Sequence, residues 1–135
     1  MTAALCVLAC YSVFSPFPRT VKPAIRVKPN MTASDVSALV HRAAHSLGIE
    51  LKRGEGDALV RIAWYESRFD PECKTGSCRG LWQIHTRVHH VHWPMSLLDQ
   101  AKWAVTYGRA RYGDARRALN LGSRHGTRNH GWKGW

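Results

Sequence analysis

The sequence predicts one mainly α-helical domain at residues 30–135, preceded by a separate segment at 1–29. A chain of 135 residues matches the commonest domain size, and 44% hydrophobic with 21% charged residues is typical of a globular protein. Apolar residues recur at helical spacing in four stretches, and capping residues or glycines bound these stretches. Because no segment alternates convincingly between apolar and polar residues, we expect a helical domain without repeats.

The segment at 1–29 begins with an uncharged stretch, residues 2–17, which a proline-rich basic linker follows. As a helix the stretch would reach about 24 Å, short of the ~30 Å core of a bilayer, so it suits a signal-peptide core better than a membrane span. The basic residues follow the stretch, which reverses the usual charge order of a signal peptide. Export is one expectation, and an apolar arm packed on the domain is the other. The disulfide state of Cys6 and Cys10 stays open.

The first predicted helix begins after Thr32, where Asp35 stands at the capping-box position. Its apolar positions are Val36, Leu39, Val40, Ala43 and Leu47. These positions share one helix face, and Gly48 ends the pattern. We expect this face to pack in the core.

The second predicted helix spans residues 56–67, and it carries a carboxylate at an unusual position. Its apolar stripe consists of Leu59, Ile62 and Ala63. Glu66 follows these by seven, four and three residues, so it lies on the same inward face. A partly buried carboxyl group that keeps its proton can act as a general acid. Glu66 is therefore the candidate catalytic residue; the alternative is a carboxylate buried only to satisfy Arg61, Arg68 or backbone groups.

The remaining elements are a loop and two further helices. A glycine-containing loop leads to residue 80, and the apolar run at 81–84 is predicted as one or two helical turns. A third helix opens at Ser96, with Asp99 at the capping-box position, and ends at Gly113. Asp114 can cap a fourth helix that ends near Gly122, and a basic tail containing glycine and tryptophan follows.

Three blocks of sequence carry a resemblance to a known family. Residues 66–71 read Glu-Ser-Arg-Phe-Asp-Pro, residues 80–84 read Gly-Leu-Trp-Gln-Ile, and residues 118–122 read Ala-Leu-Asn-Leu-Gly. Over roughly residues 36–122 the chain resembles lytic transglycosylases of the soluble-lytic-transglycosylase type, in the lysozyme-like superfamily. The resemblance implies a single lysozyme-like helical domain with a saccharide-binding cleft.

The resemblance also implies roles for individual residues. Glu66 would act first as an acid and then as a base on the glycosidic bond of peptidoglycan. The hydroxymethyl oxygen of the muramic acid would close onto the anomeric carbon and leave an anhydro-muramic end. No cofactor is implied. The residues that would bind substrate are Ser67, Trp82, Gln83, Asn120 and Tyr107.

Two departures from the family pattern affect these expectations. Leu119 stands where the family has a tyrosine that often faces the catalytic acid, and Tyr107 or Tyr112 could supply that hydroxyl instead. The family's small-residue loop is replaced by residues 73–80, Cys-Lys-Thr-Gly-Ser-Cys-Arg-Gly. Its turn-rich tetrapeptide can bring Cys73 and Cys78 within disulfide range, so a disulfide is one expectation and two reduced thiols are the other.

Four histidines, His85, His89, His90 and His92, raise the question of a metal site. His85 and His89 are four residues apart and would share one helix face, and imidazole is a common zinc ligand. However, no carboxylate lies between them, and Pro94 soon breaks any helix. The sequence favours a histidine-rich loop, solvated or at the edge of a cleft, over a metal site.

The charge balance limits the classes of partner. The net charge is +11 with histidine neutral, which fits an anionic wall polymer, a membrane surface or nucleic acid. No nucleic-acid-binding motif is present, so we expect no specific nucleic acid. The expected partners are peptidoglycan glycan strands, bound by a monomer in the periplasm or cell wall, reached by export or by phage delivery.

Two other functions remain as alternatives. A lysozyme-type hydrolase would need a second carboxylate or a held water. The acids between residues 67 and 118 are Asp70, Glu72, Asp99 and Asp114. Because the first two lie in a turn and the others are expected helix caps, none is persuasive as a second catalyst. The other alternative is a non-catalytic cationic protein that binds the cell wall or a membrane.

Overall fold

A computed structural model describes residues 30–125, with side chains up to residue 121. Helices dominate this part of the chain, which confirms the predicted mainly α-helical class, and three short strands lie between the second and third helices. The helices are α1 Ala33–Ser46, α2 Glu55–Ser67, α3 Leu97–Tyr112 and α4 Ala115–His125. The strands are β1 Lys74–Thr75, β2 Cys78–Arg79 and β3 Ile84–His85.

Several predictions concern residues outside this range. They are the uncharged stretch and linker at 1–29, the cysteine pair Cys6 and Cys10, and the tail after residue 125. Among residues 30–125, no helix has both the length and the apolar character needed to cross a membrane.

The starts of α1 and α3 follow the predicted capping pattern. The Thr32 hydroxyl accepts a hydrogen bond from the Asp35 N–H at 3.2 Å, and the Asp35 carboxylate accepts one from the Thr32 N–H at 3.0 Å. A hydrogen bond from the Thr32 hydroxyl at 2.7 Å, followed by the one from the Thr32 N–H, holds the pKa of Asp35 below its usual value. Likewise the Ser96 hydroxyl accepts from the Asp99 N–H at 3.1 Å and donates to the Asp99 carboxylate at 2.7 Å. Both caps satisfy N–H groups that a helix leaves unpaired at its start.

The core is one apolar cluster to which all four helices and the segment at 81–84 contribute. The predicted stripes of α1 and α2 are confirmed, except that Leu47 is 38% exposed at the end of α1. Trp82 is fully buried in this cluster, and its indole N–H donates to the Leu59 carbonyl at 3.0 Å. Burying a side chain of this kind stabilises a fold by ~1.5–3 kcal/mol, so the cluster fixes where α2 lies against residues 81–84.

The small sheet corrects the prediction for residues 71–84. Its order is β1-β2-β3, with antiparallel pairing throughout. Thr75 pairs with Cys78 across a two-residue turn in which Gly76 has φ +57°, and Cys78 also pairs with His85 of β3. The helical prediction for 81–84 is wrong, because this segment is a turn that leads into β3. Strands of two residues are too short to show the alternation that identifies a strand in sequence.

A buried ion pair joins the start of α2 to the end of α3. The Glu55 side chain is 1% exposed and accepts hydrogen bonds from Nε and Nη2 of Arg109 at 3.0 and 2.8 Å. Its carboxylate also accepts from the Lys52 N–H at 2.8 Å, and Arg109 donates to the Glu50 carbonyl. Burial raises the pKa of Glu55, but the hydrogen bonds from Arg109 and Lys52 together outweigh it and hold the pKa below its usual value.

Candidate active site

Glu66 lies in the last turn of α2, at the border between the core and solvent. Its side chain is half-buried, whereas Leu59 and Ile62 on the same stripe are fully buried. Burial and, after it, the negative charge of Glu66 raise the pKa of the Cys78 thiol, so the carboxylate lies within electrostatic range of this residue of β2. A carboxyl group in this position combines partial shielding from water with access for a substrate.

Ser67 anchors the end of α2 to the segment that follows the sheet's first hairpin. The residue is buried, and its hydroxyl bonds to the Ala63 carbonyl at 3.0 Å and to the Leu81 carbonyl at 2.9 Å. This geometry does not support the predicted contact between Ser67 and substrate, because the Ser67 hydroxyl is already bonded to backbone carbonyls inside the protein. Ser67 instead ties the helix end that carries Glu66 to the turn at residues 80–83.

The turn at 80–83 depends on a glycine and on a buried glutamine. Gly80 has φ +76°, and a Cβ there would lie 2.7 Å from Cη2 of Trp93 and 2.8 Å from Cδ of Gln100. Gln100 is 2% exposed, and its Oε1 accepts a hydrogen bond from the Leu81 N–H at 3.0 Å. No other residue type fits both the backbone conformation and the space at position 80.

Gln83 closes the same turn. Its backbone has φ +45°, an uncommon value for a residue other than glycine. Its half-buried side-chain amide donates to the carbonyls of Cys73 and Gly80, each at 3.1 Å. The amide therefore ties the hairpin to the turn, which leaves its oxygen as the atom that can accept from a substrate.

Trp82 does not offer a face to a sugar. Its side chain is fully buried and its indole N–H is engaged with the Leu59 carbonyl. The geometry therefore favours a core role for Trp82 over the predicted substrate contact, although the residue belongs to the same motif as Gln83. A tryptophan in an apolar motif is as well suited to filling a core as to stacking on a sugar, and spacing alone does not distinguish the two.

Cys73 and Cys78 are free thiols in this structure, so the disulfide of the first expectation is not formed. The register explains why. Cys78 lies opposite Thr75, and the Gly80 N–H donates to the Cys73 carbonyl at 2.9 Å, so the two cysteines are diagonal and not directly opposed. Diagonal positions are ~7–8 Å apart on neighbouring strands, beyond the usual reach of a disulfide.

Three of the acids considered as a second catalyst have hydrogen-bond partners of their own. Asp70 accepts from the Glu72 N–H at 2.9 Å, which fixes the turn after α2. The Asp99 carboxylate accepts from the hydroxyl of Ser96, the residue that caps α3, at 2.7 Å. Asp114 accepts from the backbone N–H and the guanidinium of Arg116, at 2.8 and 2.9 Å, which caps α4. The predicted capping role is confirmed for Asp114, whereas α3 is capped by Ser96 and not by Asp99.

Tyr107 belongs to an aromatic cluster on α3. Its ring stacks on Trp103, with centroids 4.5 Å apart, and His89 meets both rings edge-on at 4.9 and 5.1 Å. The guanidinium of Arg111 lies 5.8 Å from the Tyr107 ring and 5.6 Å from the Tyr112 ring. Burial raises the pKa of Tyr107. Both predicted tyrosines are therefore half-buried members of one cluster.

The sheet lies next to this cluster. The His89 N–H donates to the His85 carbonyl at 3.1 Å, and His85 lies opposite Cys78, whose pKa is raised by burial and by the charge of Glu66. Burial, followed by the charges of nearby basic groups, lowers the pKa of His89 below its usual value. In the described part of the chain, no three His, Cys, Asp or Glu side chains are grouped as metal ligands would be.

Asn120 and Leu119 lie on α4, which packs against α2. Asn120 is exposed, and Leu119 is partly buried against the core. The third block of the motif thus lies on a helix that contacts the helix of Glu66. Its asparagine is accessible to a ligand.

Two positioning residues were not predicted from the sequence. Gln100 supports the turn at 80–83. The sequence signal that could have found it is a polar residue on the helix face that also buries Ala101, Ala104 and Val105. Arg109 pairs with Glu55, but these residues are 54 positions apart and neither alone indicates the other.

Comparison with protein-family models, with curated proteins and with solved structures finds no match for this chain. The resemblance of the three blocks therefore rests on the motif residues themselves.

Proposed function

We propose that the protein is a peptidoglycan lytic transglycosylase with a lysozyme-like fold, and that Glu66 is its general acid and base. The observation that carries the proposal is the position of Glu66. The carboxyl group is half-buried at the end of α2, and the adjacent Ser67 fixes that helix end to the turn at residues 80–83. Fixing a proton donor in this way favours proton transfer at one site on a bound substrate.

The proposed reaction has two proton transfers. Glu66 first donates a proton to the glycosidic oxygen between N-acetylmuramic acid and N-acetylglucosamine, and the bond to the anomeric carbon breaks. The carboxylate then accepts the proton of the muramic acid's own hydroxymethyl group, whose oxygen bonds to the anomeric carbon. No water is consumed, and the carboxyl group returns to its protonated state.

The roles of the nearby acids favour this internal attack over hydrolysis. A hydrolase needs a second carboxylate, ~5–5.5 Å from the acid as a nucleophile or ~6.5–9.5 Å away to activate water. Within residues 30–125, Asp70 accepts a backbone N–H in the turn after α2, Asp99 accepts from the Ser96 hydroxyl, and Asp114 caps α4. A nucleophile carried by the substrate removes the need for such a group.

The substrate would lie along the surface that joins Glu66, Gln83 and the aromatic cluster. The Gln83 amide oxygen can accept from a sugar hydroxyl, and the half-buried Tyr107 can offer a hydroxyl or a ring edge. Asn120 on α4 is exposed and can contact the glycan strand. We propose glycan strands as the partner of a monomer that acts outside the cytoplasm without a cofactor.

The test is digestion of purified peptidoglycan with the full chain, followed by mass analysis of the products. We expect anhydro-muramic ends, which are one water lighter than hydrolase products and resist borohydride reduction. Glu66→Gln should fold normally and lower turnover by ~10²-fold or more, because the amide keeps the shape and cannot supply the proton. Asp57→Asn is the matched control, since it removes an exposed carboxylate from the same helix.

Each alternative gives a different result in the same experiment. Predominantly reducing ends would identify a hydrolase that uses water. Binding to the wall without any cleavage, equal for the wild type and Glu66→Gln, would identify a non-catalytic cationic protein. A Glu66→Gln variant that retains a third of the wild-type turnover would refute the role of Glu66.

A further inference from the structure

Residues 86–91 form a short flap whose two ends are fixed. The Val91 N–H donates to the Thr86 carbonyl at 3.0 Å, so the two ends meet. The N–H and the hydroxyl of Thr86 donate to the Ser77 carbonyl, both at 3.1 Å, and Val91 packs against the core. Between these ends lies the tip of the flap, residues 87–90. Three residues of the tip are exposed to solvent, namely Arg87, Val88 and His90.

His89 is the remaining residue of the tip, and it is half-buried against α3. Its ring centroid lies 4.9 Å from that of Tyr107 and 5.1 Å from that of Trp103, edge-on to both. The Trp103 and Tyr107 rings stack on each other, so together they offer His89 one aromatic surface. Because the other residues of the tip are exposed, docking of the tip on α3 depends on this one side chain. The proposed reaction gives His89 no role.

The groups around the His89 imidazole oppose a positive charge on it. His85 and His90 approach it from the same loop, and the guanidinium of Arg111 approaches it from α3. Tyr107, the other ionisable neighbour on α3, has its pKa raised by burial and adds no negative charge in acid. Within residues 30–125, no acidic side chain offsets these cations at His89. Burial, and then the three basic groups, lower the pKa of His89, so the docked tip favours the neutral ring.

A second imidazole of the same loop also has to be neutral. The Val88 N–H donates to Nδ1 of His85 at 3.3 Å, and Nδ1 accepts this bond only while it carries no proton. The His85 carbonyl in turn accepts from the His89 N–H at 3.1 Å. Protonation of His85 therefore removes a hydrogen bond from the tip and adds a charge next to His89.

From these contacts we propose that residues 87–90 are an acid-released flap tip, which His89 holds on α3 while its ring is neutral. Protonated His89 leaves the Trp103–Tyr107 pair for water, and the ends at Thr86 and Val91 stay in place. The released tip binds more protons than the docked tip. Docking is therefore strongest above the ordinary histidine pKa of about 6.5 and weakens as the pH falls below it. This proposal does not depend on Glu66 or on any catalytic activity.

The test is NMR spectroscopy of the full chain with labelled histidine, from about pH 7.5 to about pH 5. The chemical shifts of the His89 ring report its protonation, and NOEs from this ring to Trp103 and Tyr107 report docking. We expect these NOEs to disappear as His89 titrates. His89→Phe should keep the corresponding NOEs at every pH, because a phenyl ring packs on the same surface and does not titrate. His92→Phe is the matched control, since it removes an exposed histidine outside the flap.

Arg111→Gln tests the charge that approaches His89 from α3. Removing the guanidinium should raise the pKa of His89, and more of the docked tip should then survive in acid. Arg117→Gln is its control, because Arg117 is an exposed cation on α4 that is not among the groups around His89. Should His89→Phe fail to fold, the Arg111→Gln comparison decides.

Three outcomes would overturn the proposal. The first is that the NOEs persist after His89 has titrated, which would show that the protonated ring stays docked. The second is that His89 titrates at the same pH as the exposed His92, which would show that docking does not oppose the proton. The third is an equal loss of NOEs in His89→Phe, which would assign the release to His85 or to another group.

Discussion

Substituting Ser67 by alanine tests the link between the core and the candidate catalytic acid. The hydroxyl is buried and contacts two carbonyl oxygens, of Ala63 at 3.0 Å and of Leu81 at 2.9 Å. Alanine would leave the buried Leu81 carbonyl without this donor, and a buried polar group that loses its partner costs ~1–3 kcal/mol. We expect the free energy of unfolding to fall by that amount, which corresponds to about 4–8 °C in Tm per kcal/mol.

The same substitution should lower activity in the folded protein. Ser67 fixes the helix end that carries Glu66, and a displacement of ~1 Å in a catalytic group can lower the rate ~10²-fold. We therefore expect kcat on purified peptidoglycan to fall roughly tenfold or more at a temperature where Ser67→Ala remains folded. Because Ser67 does not contact substrate in this proposal, KM should change much less than kcat.

Ser46→Ala is the matched control. Its hydroxyl donates to the Ala43 carbonyl at 2.8 Å within α1 and connects no second element. We expect its unfolding free energy to stay within about 0.5 kcal/mol of the wild type, and its kcat to be unchanged. Denaturant titration and turnover are measured for both variants. If Ser67→Ala behaves like Ser46→Ala in both assays, then Ser67 does not position Glu66.

Three further predictions concern the turn, a helix cap and the thiol beside Glu66. Gly80→Ala should cost more than about 2 kcal/mol in denaturant titration, because it combines a positive φ with a steric clash; an unchanged midpoint would contradict this. Hydrogen bonds, first from the Arg116 side chain, lower the pKa of Asp114 from 3.8 to about 2. The stability that this charge contributes is complete above the pKa of the unfolded state and is lost as the pH falls through the pKa of the folded state. The difference in unfolding free energy between wild type and Asp114→Asn should therefore vanish near pH 2, which denaturant titration across pH would measure. Alkylation of Cys78, followed by peptide mass mapping, should be faster in Glu66→Gln, because removing the negative charge lowers the thiol pKa; an equal rate would place Glu66 away from β2.

The helices could be predicted because their signals are local in the sequence. Each of these two caps lies within four residues, in one case Thr32 with Asp35 and in the other Ser96 with Asp99. Both caps form as expected. Gly113 ends α3 at the predicted position. In each case one short stretch contains both the residue that needs a hydrogen bond and the residue that supplies it.

The hairpin, the turn and the state of the cysteines could not be predicted, because pairing across strands decides them. A tetrapeptide between Cys73 and Cys78 indicates a tight turn but does not set the register. A shift of register would change which residue lies opposite Cys78. The structure pairs it with Thr75 and with His85, and in that register the thiol lies within electrostatic range of Glu66.

The candidate site was predicted in part. The sequence identified Glu66 by its place on an apolar stripe, and the structure has its side chain half-buried at the end of that stripe. The motif also named Ser67 and Trp82, but both lie in the core, where one anchors α2 and the other fills space. Spacing indicates which residues come together, whereas burial decides which of them a substrate can reach.

Helix α2 is held at both ends by contacts distant in sequence. At its start Glu55 binds Arg109, which is 54 residues away, and at its end Ser67 binds Leu81, which is 14 residues away. A helix held in this way cannot fray from either end, so its amide hydrogens should exchange with solvent only when the elements around it separate. Glu66 would therefore belong to the most slowly opening unit of the domain, and its geometry would persist while surface loops fluctuate.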